Sequence, residues 1–261
     1  MSWKQSEAIV LRSYPLREAD LLVTLFTRAE GKLKGVARAA KKSKRRFGGA
    51  LEPLTLIRLY YDDREGQELA RLDSCDILES PLSAKIDYPH VVALEHVAET
   101  LDELLPDREA NDAIFRLAAS VLHQLRAGPI WTPLTYFQLW LVRLVGFLPK
   151  LDECLACGAA LNGSPAFYHA LADGLMCAQH KRLASSQLSP ESRALAAEMF
   201  RAPVESFAGS SAAGDEGSPG GTALGSNDSA AQYADLRRFL LQIIERHIEK
   251  KLVTASMLAK L

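Results

Sequence analysis

Two pairs of metal-type ligands stand close together in this chain, Cys154-x-x-Cys157-Gly158 and Cys177-x-x-His180, with 19 residues between them. A CxxC turn aims both sulfurs at one centre, and the glycine that follows permits the tight knuckle. The two pairs supply the four soft or borderline donors that tetrahedral Zn²⁺ prefers. Four protein donors close such a site and leave no position for a reactive water, so the spacing predicts structural rather than hydrolytic zinc. Its binding energy, roughly 10–16 kcal/mol in small zinc modules, would hold an insert with little core of its own. A dithiol redox centre is the competing reading of CxxC, and it lacks the βαβ context that such centres need. His169, midway through the insert, is the competing fourth donor; His180 keeps the two-residue spacing.

A second cluster is purely cationic. Lys32, Lys34, Arg38, Lys41, Lys42, Lys44, Arg45 and Arg46 fall in one stretch without a single acid, in a protein whose net charge is only -1. Such a run repels itself and persists most easily against a polyanion, of which nucleic acid is the commonest in a cell. The plainer reading is a solvated loop. Single strands are held by stacking as well as charge, so nearby aromatics count. Of Tyr14, Phe26, Phe47, Tyr60 and Tyr61, Phe47 directly follows Lys44-Arg45-Arg46 and is the candidate for stacking, whereas Phe26 and Tyr60 read as core. The expected nucleic-acid-binding set is therefore the eight cations and Phe47. No nucleophile elbow, phosphate-binding glycine loop or HExxH occurs, and the chain reads as a non-enzyme. Cys75, alone in an apolar run, reads as a small buried residue. His90 and His96 lie off the i, i+4 spacing of a shared metal site.

The elements that must carry these clusters change character along the chain. Ala8–Leu11, Leu21–Thr27, Lys32–Ala37, Leu51–Tyr61 and Glu68–Leu78 are short β-type runs separated by turn residues. Five such strands predict a small closed barrel, and with a basic loop and aromatics this is the layout of an OB-fold. From Ser80-Pro81 the period becomes helical: Val91 to Leu105, Ile114 to Leu125, and Thr132 to about Val145, stopped by Gly146 and Pro149. The loop-rich insert follows, then a helix over Pro190–Phe200. Residues 208–230 are Gly/Ser/Ala-rich and read as a disordered linker. Gln232–Glu249 returns to helical period. The fold class is thus α+β: an OB barrel over 1–80, a helical domain over 81–149 and 189–261, and a zinc-finger-like insert over 150–188.

At 261 residues, with 48% hydrophobic and 24% charged residues, the composition is that of an ordinary globular protein. Met1–Leu11 has no secretory layout. The most apolar segment, Tyr136–Leu148, is 13 residues long and broken by Gln138 and Arg143. A span needs about 20 apolar residues, so no membrane association is expected, and the expected compartment is the cytoplasm.

The order of motifs is specific in combination. Glu18-Ala19-Asp20-Leu21-Leu22 leads to Leu25-Phe26-Thr27 and Gly31-Lys32. The basic segment Ala37–Arg46, Leu51-Glu52-Pro53, and Gly146-Phe147-x-Pro149-x-Leu151 running into Cys154-x-x-Cys157-Gly158 complete it. Over most of its length the chain resembles the bacterial recombination mediator RecO family. It departs from the family pattern at His180, where many relatives look like Cys, and in the low-complexity stretch before the last helix. The resemblance implies a DNA repair and homologous recombination mediator of the RecF pathway, associated with the nucleoid through DNA. It implies binding of single- and double-stranded DNA and annealing of complementary strands, including strands coated by single-stranded-DNA-binding protein (SSB). It also implies work with RecR to load RecA, with RecF engaged indirectly, and docking of the SSB C-terminal tail on the helical domain, where Arg116, Arg126 and Arg143 offer cations. An RNA-binding or ribosome-associated protein is the alternative for a barrel with a zinc module.

Overall fold

The computed structural model describes residues 3–64, 66–81, 86–207 and 226–261, of which 226–230 by backbone only. Five strands come first: β1 (Trp3–Pro15), β2 (Leu21–Thr27), β3 (Gly31–Ala37), β4 (Leu56–Asp62) and β5 (Ala70–Glu79). They close in the order β1-β2-β3-β5-β4, antiparallel except for the β3–β5 pair, where Gly35 faces Ala70 and Ala37 faces Leu72. This is the OB-fold barrel. Alternate residues point inward, and Ala8, Val10, Val23, Leu25, Leu33, Ile57, Leu59, Tyr61 and Leu72 form its core. At Gly31 a left-handed φ of +72° turns the chain between β2 and β3. A Cβ there would stand 2.1 Å from the Glu109 carbonyl oxygen, so only glycine fits.

The fourth strand starts later than the apolar run suggests. Leu51 and Leu54 are buried but not in a strand: Leu54 adopts φ +63°, and its N–H donates to the Val10 carbonyl at 2.6 Å. The run Leu51–Tyr61 therefore divides into a turn that closes the barrel and a strand from Leu56.

The helices are α1 (Tyr88–Leu104), α2 (Asp112–Gln124), α3 (Trp131–Leu144), α4 (Pro190–Met199), α5 (Ser226–His247) and α6 (Val253–Leu258). The Asp87, Asn111 and Ser189 side chains accept from the backbone N–H three residues on and so cap α1, α2 and α4. β5 ends at Glu79 and α1 begins at Tyr88. Compaction groups differently: Met1–Ala127 with Leu252–Leu261 form one unit, and Gly128–Lys251 form the other. In the first unit, Phe26 on the barrel's outer face meets Phe115 of α2 with ring centroids 5.7 Å apart. Fully buried His96 of α1 meets Thr254 of α6 at 2.8 Å, and Glu99 accepts from the Val253 and Thr254 N–H groups at the start of α6.

In the second unit, α3, α4 and α5 pack together, and a small hairpin of β6 (Ala166–Tyr168) and β7 (Ser186–Leu188) carries the Cys-rich segment. The stretch read as a disordered linker, 208–230, lies outside the described residues as far as 225. Its remainder does not behave as linker: 226–230 open α5. No helix among the described residues is long and apolar enough to cross a membrane.

Candidate metal centre and nucleic-acid surface

The Cys-rich segment builds its centre from two turns. In the first, the Gly158 N–H donates to the Cys154 carbonyl and the Cys154 N–H to the Ala159 carbonyl, both at 2.9 Å. Gly158 takes φ +69°, which lets the chain reverse there. In the second, the His180 N–H donates to the Cys177 carbonyl at 3.1 Å. Paired bonds between Phe167 and Met176 (2.9 and 2.8 Å) and a Leu155 N–H to Leu175 carbonyl bond (2.7 Å) bring the turns together. The donor atoms of Cys154, Cys157, Cys177 and His180 all lie within 4.8 Å of one another, with Cys177 Sγ and His180 Nδ1 3.2 Å apart. Burial pushes the Cys154 thiol up, but N–H donors from Cys177, Cys157 and Ala156 outweigh it and draw it down, towards the thiolate a metal needs. A Cys₃His set at these separations fits a tetrahedral ion. His169 stands apart from the group, its Nδ1 accepting from the Leu171 N–H at 3.1 Å.

Arg193 of α4 secures this insert, and nothing in its sequence context signals it. Its guanidinium donates to the carbonyls of Leu151 (3.0 Å), Leu161 (2.6 Å) and Ser164 (2.5 Å). One side chain thereby holds both flanks of the first knuckle.

The basic segment runs from β3 across the end of the barrel. It includes a single 3₁₀ turn, Ala40–Lys42, and is tied down at several points. The Ala39 N–H donates to Asp20 Oδ1 at 2.8 Å, the Lys41 N–H to the Ala19 carbonyl at 3.1 Å, and the Cys75 N–H to the Arg46 carbonyl at 2.9 Å. Lys34, Arg38, Lys41, Lys42, Lys44 and Arg45 are exposed, Lys34 with Asp107 at 4.0 Å. Lys41 and Lys44 also line a groove of about 680 Å³ with Ser13, Pro15, Gly48 and Gly49.

Three members of the expected set are placed otherwise. Phe47 is only 3% exposed; with Ala40, Ala50 and Leu51 it plugs the barrel end, where an open core would otherwise meet water, so it is not a stacking residue. Lys32 is an internal partner, its side chain 11% exposed, 3.2 Å from Asp107 Oδ1 and donating to the Asp102 carbonyl at 2.5 Å. Arg46 is half-buried: it donates to the Arg38 carbonyl at 2.8 Å and Ser43 Oγ at 3.1 Å, and lies 5.2 Å over the Phe47 ring. Phe26 is core, as expected, and Cys75 is buried, its thiol pushed up to about 12 by burial.

An OB barrel with a segment of exposed cations across its end, joined to helices that carry a four-donor metal knuckle, defines a nucleic-acid-handling protein with an accessory metal module. Comparison with known proteins narrows this. The family description "Recombination protein O N terminal" matches residues 1–81, and "Recombination protein O C terminal" matches residues 87–255. The DNA repair protein RecO of Koribacter versatilis is 64% identical over 258 residues, covering 99% of both chains. That of Geobacter metallireducens is 35% identical over 75% of this chain and 79% of its own, and that of Myxococcus xanthus 38% identical over 62% and 66%. The chain belongs to the RecO family, and its role is in DNA repair and recombination.

Proposed function

We propose that this chain is a non-enzymatic recombination mediator that binds single- and double-stranded DNA through its barrel, 1–80, and anneals complementary strands coated with SSB. With RecR it assists RecA loading, with RecF in the same pathway. The observation that carries the reading is the set of six solvent-facing cations on one tethered segment, in a protein of net charge -1. Phosphate repulsion is the obstacle to bringing two strands together, and a local cation cluster lowers it without attracting polyanions to the rest of the surface. In this reading the insert, 150–188, holds structural Zn²⁺ and carries no chemistry. Residues 81–149 and 189–261 form the helical domain that meets protein partners.

For the SSB tail, Arg143 is the best placed of the three candidate cations. Arg116 pairs with Asp112 at 2.9 Å, and Arg126 pairs with Glu79. Arg143 instead lies 4.3 Å over Phe200, at a groove of about 450 Å³ lined by Leu148, Pro149, Ala197 and Phe200, with Asp152 and Arg193 also on its wall. An apolar floor beside a cation suits a short acidic and apolar tail.

The test is annealing of complementary strands coated with cognate SSB. Annealing faster than the SSB-only control, and fading with salt, is the expected result. Binding to naked DNA without annealing would reduce the chain to a generic OB protein, and a preference for structured RNA would favour the ribosome-associated reading.

A further inference from the structure

With Phe47 inside the barrel, the cationic surface has lost its expected aromatic, and the strand register shows what stands in its place. Arg12 on β1 lies opposite Thr24 on β2, which lies opposite Lys34 on β3. The next outward-facing row is Tyr14, Leu22, Val36 and, on β5, Arg71. The row on the other side, Ile9, Phe26 and Lys32, is covered by helix residues, among them Phe115 and Asp102. Helices thus cover one part of the barrel exterior and leave the Tyr14 row to solvent: Tyr14 is 50% exposed, Arg71 is exposed, and Leu22 and Val36 are half-buried. Ala37 faces Leu21 in the following row, so Arg38, the first cation of the segment beyond β3, emerges next to this face.

Two other aromatics of this unit are well exposed among the described residues, Trp3 and Tyr88. Trp3 lies opposite Asp62, and Tyr88 follows Asp87, so both have an acid next to them and neither adjoins the basic segment. Tyr14 is the one whose row leads to the basic segment, through Leu22 to Val36, two residues before Arg38. Its hydroxyl accepts from Arg12 Nη1 at 3.3 Å, while Arg12 is itself anchored to Asp102 at 2.6 Å and Glu103 at 3.4 Å. The ring is therefore restrained at its edge while the residue is half exposed, and a base stacking on it would have less side-chain freedom to freeze.

The geometry points to Tyr14 as a base-stacking contact of the DNA surface, with Lys34 and Arg38 holding the flanking phosphates. This rests on the DNA-binding reading above and adds to it a contact that distinguishes bases from bare backbone. Lys34 lies two strands from Tyr14, about 10 Å across the sheet, within reach of the same short stretch of nucleic acid.

The test uses the full chain and two oligonucleotides of equal length, oligothymidylate and its abasic counterpart, which share phosphates but differ in bases. Tyr14→Ala is expected to weaken oligothymidylate binding by roughly 5- to 100-fold, to leave abasic binding unchanged, and to keep the salt slope. Tyr14→Phe should retain most of the affinity, since the ring and not the hydroxyl stacks. Lys34→Ala should weaken both ligands alike. Unchanged affinity of Tyr14→Ala for oligothymidylate, or an equal loss on both ligands, would overturn the assignment. If the wild-type protein bound neither oligonucleotide, the DNA-binding reading would fall and this contact with it.

Discussion

The salt dependence of single-strand binding tests the placement of the cations more sharply than affinity does. Eight Lys and Arg occupy Lys32–Arg46, but Lys32 is ion-paired at 11% exposure and Arg46 is spent on the Arg38 carbonyl and Ser43. Six remain: Lys34, Arg38, Lys41, Lys42, Lys44 and Arg45. Lys34 counts because its nearest acid, Asp107, is 4.0 Å away and both side chains are at least half exposed. Each single-strand phosphate neutralised contributes about -0.7 to the slope of log affinity against log salt, so six contacts give about -4. Changing Lys41, Lys42, Lys44 and Arg45 together to Ala leaves two contacts and a slope of about -1.4. Between 50 and 200 mM salt the wild type should then lose affinity roughly 300-fold and the variant roughly 7-fold. Fluorescence anisotropy of a labelled oligothymidylate across a salt series reads both slopes. All four side chains are solvent-facing, so the thermal midpoint should hold. Lys32→Gln is the counter-experiment and should leave the slope at the wild-type value. A quadruple variant with an unchanged slope, or a Lys32→Gln variant flattened as much as a surface lysine would be, would refute this division into structural and available charge.

Three further outcomes follow from the site and the core. Burial holds His96 at about 4 against an ordinary 6.5; the unfolded chain binds the extra proton between these values, so stability falls as pH drops from about 6.5 towards 4. That loss is about 3 kcal/mol in all, and urea titrations of His96→Gln should lack the part above pH 5, where Glu99 adds little. Cys157→Ala, or a strong chelator, should release zinc measurable by atomic emission and abolish protection of amides around 154–180 from hydrogen exchange; a metal-free preparation with full protection would sink the zinc proposal. Phe47→Ala opens the plugged barrel end and should cost about 3–5 kcal/mol in denaturant unfolding, where a surface stacking residue would cost almost nothing.

What could be read in the sequence was what short-range pattern controls. The β-type runs Leu21–Thr27 and Lys32–Ala37, the helical period from Val91, and the two ligand pairs Cys154/Cys157 and Cys177/His180 each act within a few residues, and each stands where the pattern put it. What could not be read depended on partners far along the chain. Lys32 looks like its basic neighbours until Asp107 comes against it. Arg193 sits in a helix with an ordinary polar face, yet its partners lie 29 to 42 residues earlier. Glu99 and Thr254 are 155 residues apart, and α6 itself is too short to announce its role. Phe47 is ambiguous for a related reason: a phenylalanine after three cations has the sequence of a binding loop whether it points out or in. Only the closure of β1 through β5, which leaves an apolar opening beside Ala40 and Ala50, decides the direction.

That inward Phe47 changes how the cationic surface works. Six charges without an acid would spread an untethered loop, and a strand binding to it would bear the cost of gathering it. Here Phe47, Ala40, Ala50 and Leu51 are buried, and burying a phenylalanine alone contributes about 1.5–3 kcal/mol. Two unit charges in water repel by only about 1 kcal/mol at 4 Å, less at greater separation and less again in salt. The apolar anchor and the bonds at Asp20, Ala19 and Cys75 oppose that repulsion and hold the segment against the barrel in the absence of DNA. The residue that seemed to belong to the ligand instead holds the charges in position for it, and binding need not order the segment first.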